Sequence, residues 1–297
     1  MELQPPRLAH LSKAASLGLV LAIYIVTLAV AVGFVELTDW QSLLLIGAAA
    51  DVVCTVVIWL FSTALRNSSM YDAYWSVAPV PLAFYWWLSS QSEGNETRAM
   101  VVTLLVTIWG IRLTYNWARG WTGMKHEDWR YTDYRRRTGK LYPLVDLFGI
   151  HMFPTVQVFL GMLPVWAACA RPGAPFGALD VVAAIITAVA ILIEGVADNQ
   201  LRDFMKRRKP GEIMNEGLWK HSRHPNYFGQ IMLWWGLYGF ALAADPAAYW
   251  WTGIGALAIN IMFLVVSVPL IDTRSIERRP GFAEHCEKTR MFIPLPR

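Results

Sequence analysis

The chain has 297 residues, 55% of them hydrophobic and only 16% charged, against about 25% charged in soluble domains. That balance excludes an ordinary soluble domain and points to a polytopic membrane protein. The formal net charge of +4 comes from basic loops without a nucleic-acid-binding motif, and three scattered cysteines, Cys54, Cys169 and Cys286, lack the spacing of a disulfide framework or a zinc site.

About twenty apolar residues span a bilayer. Runs of that kind fall at 15–35, 43–63, 73–89, 99–117, 148–169, 178–198, 228–244 and 249–271. They predict an all-α bundle of about eight transmembrane helices, in one membrane domain over 1–297. The first run has the basic start of a signal peptide, but it is long enough to span and has no clear cleavage site, so it is expected to stay as a helix. Loop charge supports the count. Of the 26 Lys and Arg, 23 fall in the tails and loops that eight crossings place on one side. Opposite them stand only Arg98 and Arg171, and Arg112 lies inside the fourth run. Basic loops stay in the cytosol, so both termini are expected there, at a bacterial inner membrane or the endoplasmic reticulum. The long polar stretch from Ala118 to Asp146 holds HEDWRY and YRRRTGK. It is expected to lie along the membrane surface as part of a cytosolic cap.

Ionisable residues in or beside spans are costly and are functional candidates by default. Here most gather at the cytosolic ends. Asp72 opens the third run. Arg112 and Asn116 lie one turn apart in the fourth, followed by Arg119. Glu194, Asp198 and Arg202 form an i, i+4 row, and Arg208 follows in the basic run. Arg223, His224 and Asn226 open the seventh run, and Arg274 and Arg278 follow the eighth. One cytosol-facing cavity lined by both signs of charge accounts for the set; a group of interfacial ion pairs is the competing reading. Asp51, inside the second run, is expected to make only a buried hydrogen bond. Trp86, Trp87, Trp250 and Trp251 read as interfacial aromatics.

The stretch Gly217 to Gly229, GLWKHSRHPNYFG, organises the chain. Pro225 suits the first turn of a helix and pushes His224 towards an extended conformation. The helix is expected to start near Asn226, and its first N–H groups favour an anion. An ordinary juxtamembrane Arg/His anchor is the plainer alternative. No GxGxxG follows a predicted strand, so a Rossmann site is absent.

RHPNYFG, the preceding GLW, the EGVADNQL segment and the closing RPGFAEHCEKTRMFIPLP resemble the steroid 5-alpha-reductase family, in its bacterial-type branch. The resemblance runs from about residue 67 to the carboxyl end; residues 1–66 contribute little. RHPNY followed by a small residue is also similar to the cofactor-binding segment of sterol C-14 and delta-7 reductases. Isoprenylcysteine carboxyl methyltransferases share a related segment and tail. The resemblance implies an NADPH-dependent reductase, like a 3-oxo-5-alpha-steroid 4-dehydrogenase. Such an enzyme acts on a carbon–carbon double bond conjugated to a carbonyl in a lipophilic substrate that enters from the bilayer among membrane lipids. Arg112, Asn116, Arg119, Asp198, Arg202, Arg208, Trp219, Arg223, His224, Asn226, Tyr227, Arg274 and Arg278 would then hold NADPH. MYDAYWSVAP places Asp72 seven residues before Pro79, similar to the position of the family's catalytic glutamate. Asp72 would act as the acid, with Tyr71 or Tyr74 beside it. The alternatives are an S-adenosylmethionine-dependent methyltransferase and a non-catalytic sterol- or lipid-binding protein. No metal and no nucleic-acid or protein partner is expected.

Overall fold

The computed structural model describes residues 5–90 and 95–295; Arg297, one of the 23 basic residues on the predicted cytosolic side, lies outside them. Among the described residues the chain is helical, with no strand and one isolated parallel bridge, Ser222 to Arg290. It is an all-α, multi-pass membrane protein. Six helical stretches are long and apolar enough to cross a bilayer: Lys13–Glu36, Leu43–Leu65, Glu96–Gly120, Trp129–Ala170, Ala178–Arg207 and Pro246–Arg278. The two other predicted runs are also helical, Pro79–Ser89 with 11 residues, too few to span, and Pro225–Ala244 with 20. The first of these is cut back because Ser68–Ala73 winds as a 3-10 turn and Pro79 opens a new helix.

The chain divides into two compact units. The first comprises Met1–Glu93 and Val106–Met162, the second Gly94–Leu105 and Leu163–Arg297.

In the first unit, Ser12 and Ser42 cap the helices Lys13–Glu36 and Leu43–Leu65, each satisfying one orphan N–H. The second helix ends at Arg66, whose left-handed backbone (φ 56°) turns the chain into Ser68–Ala73. The polar stretch after Gly120 is partly helical. It forms the helix Trp129–Thr138 and folds onto that turn. Asn67 Nδ2 donates to the carbonyls of Met124 and His126, both at 3.0 Å. Ser68 N donates to Glu127 Oε1 at 3.0 Å, and Asp128 N donates to Ser69 Oγ at 2.8 Å. Arg135 holds Glu127 with two hydrogen bonds, at 2.7 and 2.8 Å. These bonds fix the segment that carries Asp72.

In the second unit, Ala178–Arg207 and Pro225–Ala244 pack at close range through small residues, a packing typical of membrane helices. A Cβ added at Gly229, the glycine that closes RHPNYFG, would lie 2.8 Å from the Ala190 carbonyl oxygen and the Glu194 nitrogen. One added at Gly236 would lie 2.3 Å from Thr187 Oγ1 and 2.9 Å from its backbone nitrogen. Backbone cannot yield as a side-chain tip can, so Gly236→Ala is expected to destabilise the protein by about 1–3 kcal/mol, the usual range for overpacking. Thermal unfolding in detergent measures this; an unchanged midpoint would show that the two helices can part freely.

Topology is testable within this unit alone. With the basic segments in the cytosol, Arg171→Cys and Arg208→Cys are expected to label from opposite sides of sealed vesicles. Labelling of both from one side would contradict the eight-crossing orientation.

Candidate functional site

The RHPNY segment is built by the carboxyl-terminal tail. Arg223 N donates to the Arg290 carbonyl at 2.8 Å and His224 N to the Met291 carbonyl at 3.1 Å. Ser222 Oγ adds a bond to the same Met291 oxygen at 3.1 Å. The Arg223 guanidinium turns the same way: Nη1 donates to the carbonyls of Cys286 (2.8 Å) and Thr289 (2.7 Å), and Nη2 to Asp272 Oδ2 (3.1 Å). His224 Nε2 stands 2.9 Å from the other Asp272 oxygen. The motif and the tail, 60 or so residues apart, are therefore one structure, and Asp272 ties both basic side chains.

The helix begins at Pro225, as its fixed φ favours, with His224 as its cap residue at φ −140°. Tyr227 lies between the His224 ring (centroids 5.3 Å apart) and the Phe263 ring (4.6 Å). Asn226 Nδ2 approaches Asp198 Oδ1 at 3.4 Å, while Asn226 Oδ1 is buried and accepts no hydrogen bond. Arg223 Nε is likewise buried without an acceptor. A buried polar atom without a partner costs about 1–3 kcal/mol, so these two atoms suit a ligand with its own donor and acceptor. Trp219 is buried and donates to the Ala197 carbonyl at 2.9 Å, which anchors GLW to the Ala178–Arg207 helix. Arg202 and Arg274 are half-buried on their helices.

Arg208, Arg278 and Arg279 form a second feature of the same unit. Burial, then the charges of Arg208 and Arg278, hold the Arg279 pKa below its ordinary value. Among the described residues none of the three forms an ion pair with a carboxylate. Three guanidinium groups that repel one another favour an anion. Arg279 was not singled out from the sequence; the doubled Arg278–Arg279 next to Pro280 was the available signal.

The remaining predicted residues belong to the first unit. Arg119 donates to Asn116 Oδ1 through Nε (3.1 Å) and Nη2 (2.8 Å), and Arg112 is half-buried one turn before Asn116. The candidate acid has a defined setting. Asp72 lies in the Ser68–Ala73 turn, outside the spans, and Tyr131 of HEDWRY donates its hydroxyl to Asp72 Oδ1. Burial pushes the Asp72 pKa up to about 7, against the opposing pull of the Tyr131 hydrogen bond. Sequence reasoning also missed Tyr131, because it sits 59 positions from Asp72 and no local pattern pairs them. Tyr71 shares its hydroxyl with Thr155 Oγ1 at 2.8 Å and its ring packs on His151, centroids 4.7 Å apart. Tyr74 donates to Asp51 Oδ1 at 3.1 Å, the hydrogen bond expected for Asp51. Of the three candidates, only Asp72 carries an ionisable group poised near neutrality in this turn.

Residues 58–289 match the family described as "Protein of unknown function (DUF1295)". An uncharacterized protein of Schizosaccharomyces pombe is 27% identical over 272 residues, covering 84% of this chain and 79% of the yeast protein. No solved structure matches the chain. With more than three quarters of its length matched, this membrane helical protein belongs to the DUF1295 family, which is related to steroid 5-alpha-reductase-like membrane proteins.

Proposed function

We propose that the protein is a membrane-embedded, NADPH-dependent reductase of a carbon–carbon double bond conjugated to a carbonyl, acting on a steroid-like or other lipophilic substrate. The observation that carries this reading is the Arg208–Arg278–Arg279 group, three cations without carboxylate partners among the described residues. It suits a ligand with several phosphate charges, whereas S-adenosylmethionine offers a single carboxylate. In the same unit, the unpartnered Asn226 Oδ1 suits the amide N–H of a nicotinamide. Asp198 orients Asn226, and Asp272 holds Arg223 and His224 in place. NADPH would supply the hydride; this chain's residues bind and orient it.

Reduction of an enone builds negative charge on the carbonyl oxygen, and a donor aimed at that oxygen lowers the barrier. Asp72, protonated below about pH 7, is such a donor. Tyr131 fixes the carboxyl's orientation by donating to Oδ1. The carboxyl proton passes to the enolate oxygen. The resulting enol tautomerises to the saturated ketone by gaining a proton at the carbon α to the carbonyl and losing the one on oxygen, and the Asp72 carboxylate is reprotonated from water.

Titration calorimetry on the purified chain tests the cofactor half. NADPH is expected to bind more tightly than NADH, by about 1–3 kcal/mol per charge-assisted bond to the 2′-phosphate. Arg279→Gln is expected to remove most of that difference and leave NADH binding nearly unchanged. Saturable binding of S-adenosylmethionine without NADPH binding would overturn the reading in favour of methyl transfer.

A further inference from the structure

The exposed surface of the first unit changes character over a short stretch. Arg136, Arg137 and Lys140 are exposed at the end of the helix Trp129–Thr138 and just beyond it. Leu141, Leu144 and Phe148 follow, 63%, 57% and 61% exposed. The opposite side of the same stretch is buried, with Tyr131, Tyr142 and Ile150 packed together. The basic and apolar groups therefore share one outward surface. Gly139, with φ at +53°, ends the basic helix and turns the chain into the apolar part; that conformation costs a glycine little.

The charges on this surface are not all spent within the protein. Arg130 and Arg135 are paired with Asp128 and Glu127, and Arg137 with Asp133 one turn away. Arg136 and Lys140 have no carboxylate partner among the described residues. The apolar side chains beyond them recur at three- and four-residue spacing and lead towards the helix Phe153–Ala170. Eight residues separate Lys140 from Phe148, about 12 Å at helical rise. One leaflet's hydrocarbon layer is about 15 Å deep. Trp129 and Tyr134, also partly exposed, are side chains suited to headgroup depth.

We propose that this surface holds an anionic phospholipid. The headgroup phosphate lies at Arg136 and Lys140, and an acyl chain runs along Leu141, Leu144 and Phe148. A soluble anion would explain the two unspent charges but not the apolar row that continues from them. A neutral lipid would explain the apolar row but not the charges. Basic residues next to a span each add about fivefold to the affinity for an anionic lipid surface. The inference does not depend on the reductase reading.

Native mass spectrometry of the full chain in mixed micelles, with phosphatidylglycerol and phosphatidylcholine in equal amounts, tests it. The wild-type protein is expected to retain phosphatidylglycerol preferentially. The double variant Arg136→Gln/Lys140→Gln is expected to lower that preference about tenfold or more. Lys206→Gln/Arg207→Gln, exposed residues of the second unit with the same loss of charge, is expected to keep it. Leu144→Ser/Phe148→Ser is expected to weaken retention of both lipids. Equal loss of preference in the two charge-matched pairs would overturn the proposal, as would a wild-type protein without preference. Displacement of the lipid by inorganic phosphate at constant ionic strength would also overturn it, since a soluble anion would then suffice.

Discussion

Arg98→Ala is expected to destabilise the protein by about 3–5 kcal/mol, the range for a buried ion pair that loses one partner. Arg98 and Asp180 are each about 1% exposed and meet through two hydrogen bonds, Nε to Oδ1 at 2.6 Å and Nη2 to Oδ2 at 2.9 Å. Arg98 Nη1 also donates to the Ala174 carbonyl at 3.0 Å, and Gly177 N donates to Asp180 Oδ2 at 2.9 Å. One guanidinium thus closes the turn between the helices Phe153–Ala170 and Ala178–Arg207. Its removal leaves the buried Asp180 carboxylate without its ion-pair partner and the Ala174 carbonyl without this donor. The double variant Arg98→Met/Asp180→Leu removes both charges and is expected to recover much of the loss, since paired burial is itself costly. Thermal or denaturant unfolding in detergent reads both. A wild-type midpoint for Arg98→Ala would show that solvent reaches the pair.

Asp72→Ala is expected to lower enone turnover by about 10²–10³-fold, the usual effect of losing one donor to a developing oxyanion, with NADPH affinity unchanged. Asp72→Asn, which still donates, is expected to lose less. The acid form is the active one, so kcat/KM is expected to fall as pH rises through about 7, the Asp72 value, and Asp72→Asn should lack that limb. The Tyr131 hydrogen bond lowers the Asp72 pKa; Tyr131→Phe should therefore move the limb to higher pH. Wild-type turnover in Asp72→Ala would transfer the role to Tyr74. Loss of NADPH from that variant would place Asp72 in cofactor binding instead.

The spans were legible because twenty apolar residues are a length signal that needs no tertiary information. The start of Pro225–Ala244 was legible for a similar reason, since proline restricts its own φ and its predecessor locally. What holds the RHPNY segment was not. Asp272 lies 49 residues from Arg223 and Thr289 lies 66 away, and nothing in the local pattern pairs them. Arg98 was counted as a loop charge on the sparse side, although it is fully buried; composition carries no sign that Asp180, 82 residues on, would meet it. The inner contacts of HEDWRY were not legible either, because a polar stretch carries no local sign of its partners. Its polar groups satisfy Asn67, Ser68, Ser69 and Asp72. Gly229 closes RHPNYFG, and its close approach to Ala190 and Glu194 is a packing contact that no local pattern shows.

The central claim is hydride transfer from NADPH to an enone. Its most direct test is a single turnover of the purified chain with NADPH deuterated at the transferable position of the nicotinamide and a steroid-like enone. The reductase reading predicts a saturated ketone carrying one deuterium at the carbon β to the carbonyl, formed in proportion to NADPH oxidised. An unlabelled enone recovered intact, together with a methyl ester formed from S-adenosylmethionine and a prenylcysteine substrate, would contradict it.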